Sequence, residues 1–212
     1  MPCCECESTG QALVQSKVQR RVLWAVLAIN IFIFLAEFGA GVWADSTALQ
    51  GDSLDSLGDA LVYGLSLMVL GRSLRARAGA ALAKGGTQLV FAGAVLAEVA
   101  RKLIVGAAPL PSVMAVAASV ALIANVTCLA LLTRFRRDDI NMRSVWLCSR
   151  NDVIGNAGVL LTTALIAWTG WRWLDLIFGA GLALLFLRTG IEVLSTAWPQ
   201  FSSQHLNPNV GD

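Results

Sequence analysis

Met114-Ala-Val-Ala-Ala-Ser-Val-Ala-Leu-Ile-Ala-Asn-Val-Thr-Cys-Leu-Ala-Leu-Leu-Thr133 carries no charged side chain from end to end. About 20 residues of this kind, rising 1.5 Å each, make a helix that crosses the roughly 30 Å hydrocarbon core of a bilayer. Working outward, five more runs read the same way: Val22 to Ala44, Thr47 to Leu70, Ala81 to Ile104, Ser144 to Trp168 and Trp173 to Trp198. The chain of 212 residues is 56% hydrophobic and 14% charged, which is more apolar surface than one soluble core can hide. The expectation is an all-α integral membrane protein, a bundle of six transmembrane helices, with the lipid bilayer as its solvent.

The polar residues give the topology. Lys17, Arg20 and Arg21 precede the first span, Arg72, Arg75, Arg77 and Lys84 follow the second, and Arg134, Arg136, Arg137 and Arg143 follow the fourth. Only Arg101, Lys102 and Arg172 fall on the other side. Retention of Lys and Arg on the inner side puts both termini in the cytoplasm of a multi-pass protein of the cell membrane. All seven tryptophans lie near span ends, where indole rings prefer the headgroups. Gly106 to Pro111 reads as a short outer turn, because its two prolines cannot continue a helix. The division expected is a Cys-containing cytoplasmic tail at 1–20, a membrane domain at 21–198 and a short cytoplasmic tail at 199–212. No secretory signal peptide is expected, since the first twenty residues hold no apolar stretch.

A net charge of +2, with basic residues between apolar runs, argues against a nucleic-acid partner. No nucleophile beside a base appears, and no dinucleotide or phosphate-binding glycine motif, so neither an enzyme nor a bound cofactor is expected.

Ionisable residues inside a bilayer cost several kcal/mol by most scales, so each needs a partner or a function. Asp52, Asp55 and Asp59 follow one another at spacings of three and four in the second span and share one helical face. Cys148 and Asp152 do the same in the fifth. Asp55 stands nine residues past Ser46, and Asp152 nine residues past Arg143 on a helix running the other way, so each is roughly 13 Å deep. Asp59 and Cys148 are level by the same reasoning, about 6 Å nearer the cytoplasm. Asp55, Asp59, Cys148 and Asp152 can therefore close around one ion. Three carboxylates and a thiolate suit a four-coordinate divalent metal ion of borderline softness, zinc, cadmium or cobalt, rather than magnesium or calcium. A lone intramembrane Asp often serves as a helix cap or an interhelical hydrogen-bond partner, but two level pairs at one-turn spacing argue for a site.

The stretches Ser46-Thr-Ala-Leu-Gln-Gly-Asp-Ser-Leu-Asp-Ser-Leu-Gly-Asp59 and Asn141-Met-Arg-Ser-Val-Trp-Leu-Cys-Ser-Arg-Asn-Asp152 resemble the second-helix and fifth-helix signatures of the cation diffusion facilitator family. Asn125 and Asp175 also fall where members often have Asn and Asp. The resemblance covers roughly Val22 to Trp198. It implies metal efflux with protons as counter-ion, by alternating access. Two departures stand out. Cys148 occupies the usual histidine position, which bears on zinc against cadmium, and the sequence stops before the cytoplasmic domain that helps most members form dimers. A homodimer would then rest on the membrane helices. The competing reading is a non-transporting membrane metal sensor or metal-storage protein, which should need a soluble output surface.

Metal entering a cluster of buried acids displaces the protons that relieve their mutual repulsion, which gives a physical basis for exchange. Other singular residues carry weaker expectations. Cys3, Cys4 and Cys6, beside Glu5 and Glu7, read either as a metal collector or as a mobile tail. Asp52 reads as a relay in the outer vestibule or as a packing residue. Glu37 and Glu98 are expected to be buried acids, with a buried Arg150 pairing with one of them. Cys128 reads as a small apolar residue, and His205 as solvated.

Overall fold

The computed structural model describes residues 3–69, 74–137 and 140–206. Its six helices are α1 (Cys3–Trp43), α2 (Thr47–Val69), α3 (Leu74–Val105), α4 (Pro111–Thr133), α5 (Ile140–Thr169) and α6 (Trp173–Leu206). Helix is what an apolar chain must adopt in lipid, where every backbone N–H and C=O has to find its partner within the segment. Four stretches, Lys17–Trp43, Pro111–Thr133, Val145–Thr169 and Trp173–Ser195, are long and apolar enough to cross a membrane by themselves. The other two helices are more polar: α2 holds the three aspartates, and α3 holds Arg75, Arg77 and Lys84 at one end and Glu98, Arg101 and Lys102 at the other. The protein is an all-α membrane protein.

Helix α1 begins at Cys3 and α6 runs to Leu206, past Pro199, so helix extends beyond both ends of the apolar runs read from sequence. The side chains of Cys3, Cys4, Cys6 and His205 lie outside the described ones.

The turns are built from the residues that permit them. Gly106 and Gly170 close α3 and α5 with φ of +95° and +71°, a conformation that suits glycine, and Pro111 opens α4 where its missing N–H costs nothing. Between α1 and α2, Asp45 itself takes a positive φ of 50°. Its carboxylate accepts the Ala108 N–H at 2.9 Å and pairs with Lys102 Nζ at 3.1 Å. Lys102, fully buried, also donates to the Asp45 carbonyl at 2.6 Å and reaches Glu98 at 3.6 Å. The Leu110 N–H bonds the Ala44 carbonyl at 2.9 Å. The α1–α2 and α3–α4 turns are thus tied together at the end of the bundle away from the termini.

Burial works against the Asp45 charge, but the Ala108 N–H and the Lys102 and Arg101 cations outweigh it and hold its carboxyl below the usual carboxylate range. A depressed folded-state value means that the tie stabilises fully above the ordinary aspartate range and loses its contribution as pH falls through the lower value. Asp45→Asn should therefore flatten the acid limb of the thermal midpoint measured against pH in detergent. An acid limb as steep as the parent's would show that the tie contributes nothing.

Packing divides the helices. Helix α3 lies chiefly against α6, α1 against α2, and α4 against α5, with α1 also touching α4. Phe91, Ala92, Val95, Ala183 and Phe186 fill the α3–α6 interface. At its tightest point a Cβ on Gly85 would lie 3.2 Å from the Gly190 carbonyl oxygen, and one on Gly190 would lie 3.0 Å from that of Gly85. A methyl group at either position would crowd the facing backbone, the small-residue contact by which helices associate in lipid. Leu23, Val26, Tyr63, Cys128, Leu132, Phe135 and Val145 form a second core toward the termini, with Cys148 packed on its edge. Cys128 faces other helices and not lipid.

Candidate metal centre between the second and fifth helices

Helix α2 is held in place from outside itself. The fully buried Asp175, in the first turn of α6, accepts the Ser46 hydroxyl at 2.6 Å and the N–H groups of Thr47 and Ala48 at 2.6 and 3.1 Å. Ser46 in turn accepts the Leu49 N–H at 3.1 Å. The first turn of a helix leaves its N–H groups unpaired and partly positive, and a carboxylate from a neighbouring helix answers both needs. Gly179 lets this happen, because a Cβ there would meet Thr47 Cγ2 at 2.7 Å.

A close approach sets the register between α2 and α5: Asp52 Oδ1 lies 2.9 Å from where a Cβ on Gly155 would stand. The helices run antiparallel, so three residues along α2 and three back along α5 bring Asp55 level with Asp152, and one further turn brings Asp59 level with Cys148. Asp59 interacts with both Cys148 and Asp152. Its Oδ2 accepts the Tyr63 hydroxyl at 2.8 Å. Asp59 and Asp152 are buried, whereas Asp55 and Cys148 are part-exposed. Asp55 is within electrostatic reach of Asp59 and Asp152, and Lys84 of α3 acts on Asp55, Asp59 and Cys148 together. In this arrangement the four side chains are not drawn into one coordination shell: no group of three or more Cys, His, Asp or Glu converges tightly enough to grip an ion among the described residues.

Around these acids the bundle interior is lined with polar atoms that have no protein partner: Asp152 Oδ2, Asp52 Oδ2, the Ser149 hydroxyl, Asn156 Oδ1, and both polar atoms of Asn125 on α4. Buried polar groups are normally satisfied, so several orphans on three helices mark a place built for water or an ion. Asp52 is 2% exposed and packed against α5, which puts it in the helix interface and not in an open vestibule.

Two expectations fail. Arg150 is exposed and not buried; its guanidinium stacks 5.7 Å from the Trp146 ring, next to Arg136 at 5.5 Å. It stands two residues from Asp152, about 200° around the helix, so a side chain facing away from the site finds an aromatic ring at the membrane interface instead of an acid. Glu98 is only partly buried and pairs with Arg101 at 2.7 Å, one turn along its own helix. Among the described residues no arginine pairs with Glu37. Sequence reading missed the roles of Tyr63, Lys84 and Asp175. The four-residue step from Asp59 to Tyr63 was a usable signal, whereas the α6-to-α2 cap has none in sequence.

The family model for the cation efflux transmembrane domain matches residues 23–200. The chain belongs to this family, the cation diffusion facilitators. It is 26% identical over 207 aligned residues to the zinc transporter ttm-1 of Caenorhabditis elegans, covering 82% of this chain and 50% of that protein. It is 25% identical over 190 to the metal cation efflux system protein CzcD of Cupriavidus metallidurans, covering 84% and 58%. A shorter stretch, 33% identical over 57 residues, matches the cadmium, cobalt and zinc/H(+)-K(+) antiporter of Bacillus subtilis, covering 27% of this chain and 18% of that one. The chain spans between half and three-fifths of the length of the first two relatives.

Proposed function

We propose that the chain exports divalent transition-metal ions, zinc, cadmium or cobalt, in exchange for protons, through Asp55, Asp59, Cys148 and Asp152. The observation that carries this reading is the α2–α5 register, which brings Asp55 level with Asp152 and Asp59 level with Cys148 deep in the membrane domain. Membership of the cation efflux family and relatives named for zinc, cadmium and cobalt support the substrate class. Like charges crowded in low dielectric hold protons until a divalent ion takes their place, and protons returning from the other side release that ion. For the ion to be held, Asp55 and Asp59 must swing toward Cys148 and Asp152. The basic residues on the termini side support both termini in the cytoplasm of the cell membrane. The working unit of this reading is a homodimer.

Flux of zinc, cadmium and cobalt in proteoliposomes, with and without a pH gradient, tests the reading; metal flux indifferent to the gradient would refute exchange. Thiolate is softer than imidazole, so Cys148→His should keep zinc flux and lower the cadmium-to-zinc ratio, by about tenfold if the preference changes by 1.4 kcal/mol. An unchanged ratio would remove Cys148 from the site.

A further inference from the structure

Arg150 faces out of the bundle, away from the site described above. It stands five residues into Val145–Thr169, a stretch long and apolar enough to cross the membrane, so its backbone is about 7 Å past the start of the span. An arginine there is costly in hydrocarbon unless its head reaches the interface or meets an anion. Helical Cβ atoms tilt toward the N-terminus, and Trp146 lies one turn that way. The guanidinium accordingly leans back to 5.7 Å from the centre of the indole ring.

A second arginine comes to the same ring from another part of the chain. Arg136, in the turn that follows α4, stands 5.5 Å from its centre. The ring is fixed, because its N–H donates to the Thr133 hydroxyl at 3.1 Å and Thr133 donates to the Leu129 carbonyl at 2.6 Å. Among the described residues no carboxylate pairs with either guanidinium. Two cations on one ring repel, and the aromatic face offsets only part of that. From Arg134 to Arg150 the chain carries five arginines against Asp138 and Asp139, which lie outside the described residues, so three positive charges stay in excess even with both acids ionised.

We propose that Arg136 and Arg150, gathered on the Trp146 ring, hold the phosphate of an anionic phospholipid in the leaflet on the side of the termini.

The guanidinium fork matches phosphate oxygens two at a time, and a tryptophan ring belongs at headgroup depth. Position favours lipid over a soluble anion. Arg150 rises from within the span, where acyl chains lie beside α5 and free phosphate does not reach. Ile154 and Leu161, four and eleven residues further on, share its face and are exposed, so apolar surface for those chains continues from the arginine. A zwitterionic choline headgroup would bring a further cation to a place that already has too many.

The test needs no metal transport and stands apart from the export reading. The full chain, purified in detergent and offered equal amounts of phosphatidylglycerol and phosphatidylcholine, should retain phosphatidylglycerol preferentially when lipid bound to the intact protein is counted by native mass spectrometry. Arg136→Gln and Arg150→Gln should each weaken that retention about fivefold, and the double variant about 30-fold. Arg150→Lys, which keeps the charge, should lie between the parent and Arg150→Gln. Arg172→Gln, which removes an exposed charge on the other side of the membrane, should match the parent. A preference unchanged in the double variant would overturn the proposal, as would an equal loss in Arg172→Gln, which would reduce the effect to net charge. Should Arg150→Gln fail to fold, Arg136→Gln decides alone, because Arg136 lies in a turn outside the helices. Thermal midpoints separate the sources of phosphate: phosphatidylglycerol should raise the parent's, and inorganic phosphate should not. An equal rise with inorganic phosphate would make this a site for a free anion and refute the lipid.

Discussion

Alanine in place of Asp59 is expected to lower zinc flux by on the order of 100-fold or more while leaving the protein at least as stable as the parent. The two halves of this expectation have one cause. Asp59 is 7% exposed and sits against Cys148 and Asp152, so folding must bring like groups together in low dielectric. Removing it relieves that repulsion, which offsets the roughly 1–3 kcal/mol of leaving the buried Tyr63 hydroxyl without its acceptor. A ligand is lost and a burden on folding is lifted. Asp152→Ala and Asp55→Ala should behave alike, although Asp55, being more accessible, offers less relief. The measurements are initial zinc flux and the thermal midpoint in detergent. Near-parent flux in folded Asp59→Ala and Asp152→Ala would sink the proposed site. A large drop in midpoint would instead make Asp59 a structural residue.

The second large effect has the opposite sign for stability. Asp175→Ala leaves the Thr47 and Ala48 N–H groups and the Ser46 hydroxyl unmet in a buried place. An unmet buried donor costs roughly 1–3 kcal/mol, so the loss should total about 3 kcal/mol or more. Asp175→Asn keeps one acceptor oxygen but loses the charge opposite the helix N-terminus, and should lie between parent and alanine. Because α2 carries Asp55 about two turns beyond this cap, zinc affinity should also fall, by less than in Asp59→Ala. An alanine variant that melts with the parent would mean that water caps α2 equally well.

How much of this was readable beforehand depends on the range of each interaction. Four of the helices announce themselves by apolar length, and α2 and α3 by lying between them, because lipid leaves the backbone no alternative. The level pairs across α2 and α5 were legible too, since rise per residue and antiparallel direction fix depth without any knowledge of packing. Rotation of one helix against another is not fixed that way. The sequence shows that Arg150 and Asp152 point apart, but not which of them faces inward, and charge alone was a poor guide because a long cationic side chain can reach the interface. Asp175 and Lys102 hold groups on other helices, and nothing local marks such a partnership. Glu37 was visible as a buried acid, which is how the structure places it.

The backbone contact at Gly85 and Gly190 bears on how the protein is made. Helices α1 and α2 are neighbours in sequence and in space, as are α4 and α5, so each pair can form as soon as its second member leaves the ribosome. The partner of α3 lies three helices further along the chain. Until α6 arrives, the notch at Gly85 has only lipid or a wrong helix against it, Phe91 and Val95 have only their contacts with α2, and closure of the fold waits on a contact of long sequence separation. A residue larger than glycine at position 190 would thus act on biogenesis, holding up chains whose α6 has inserted but cannot close on α3.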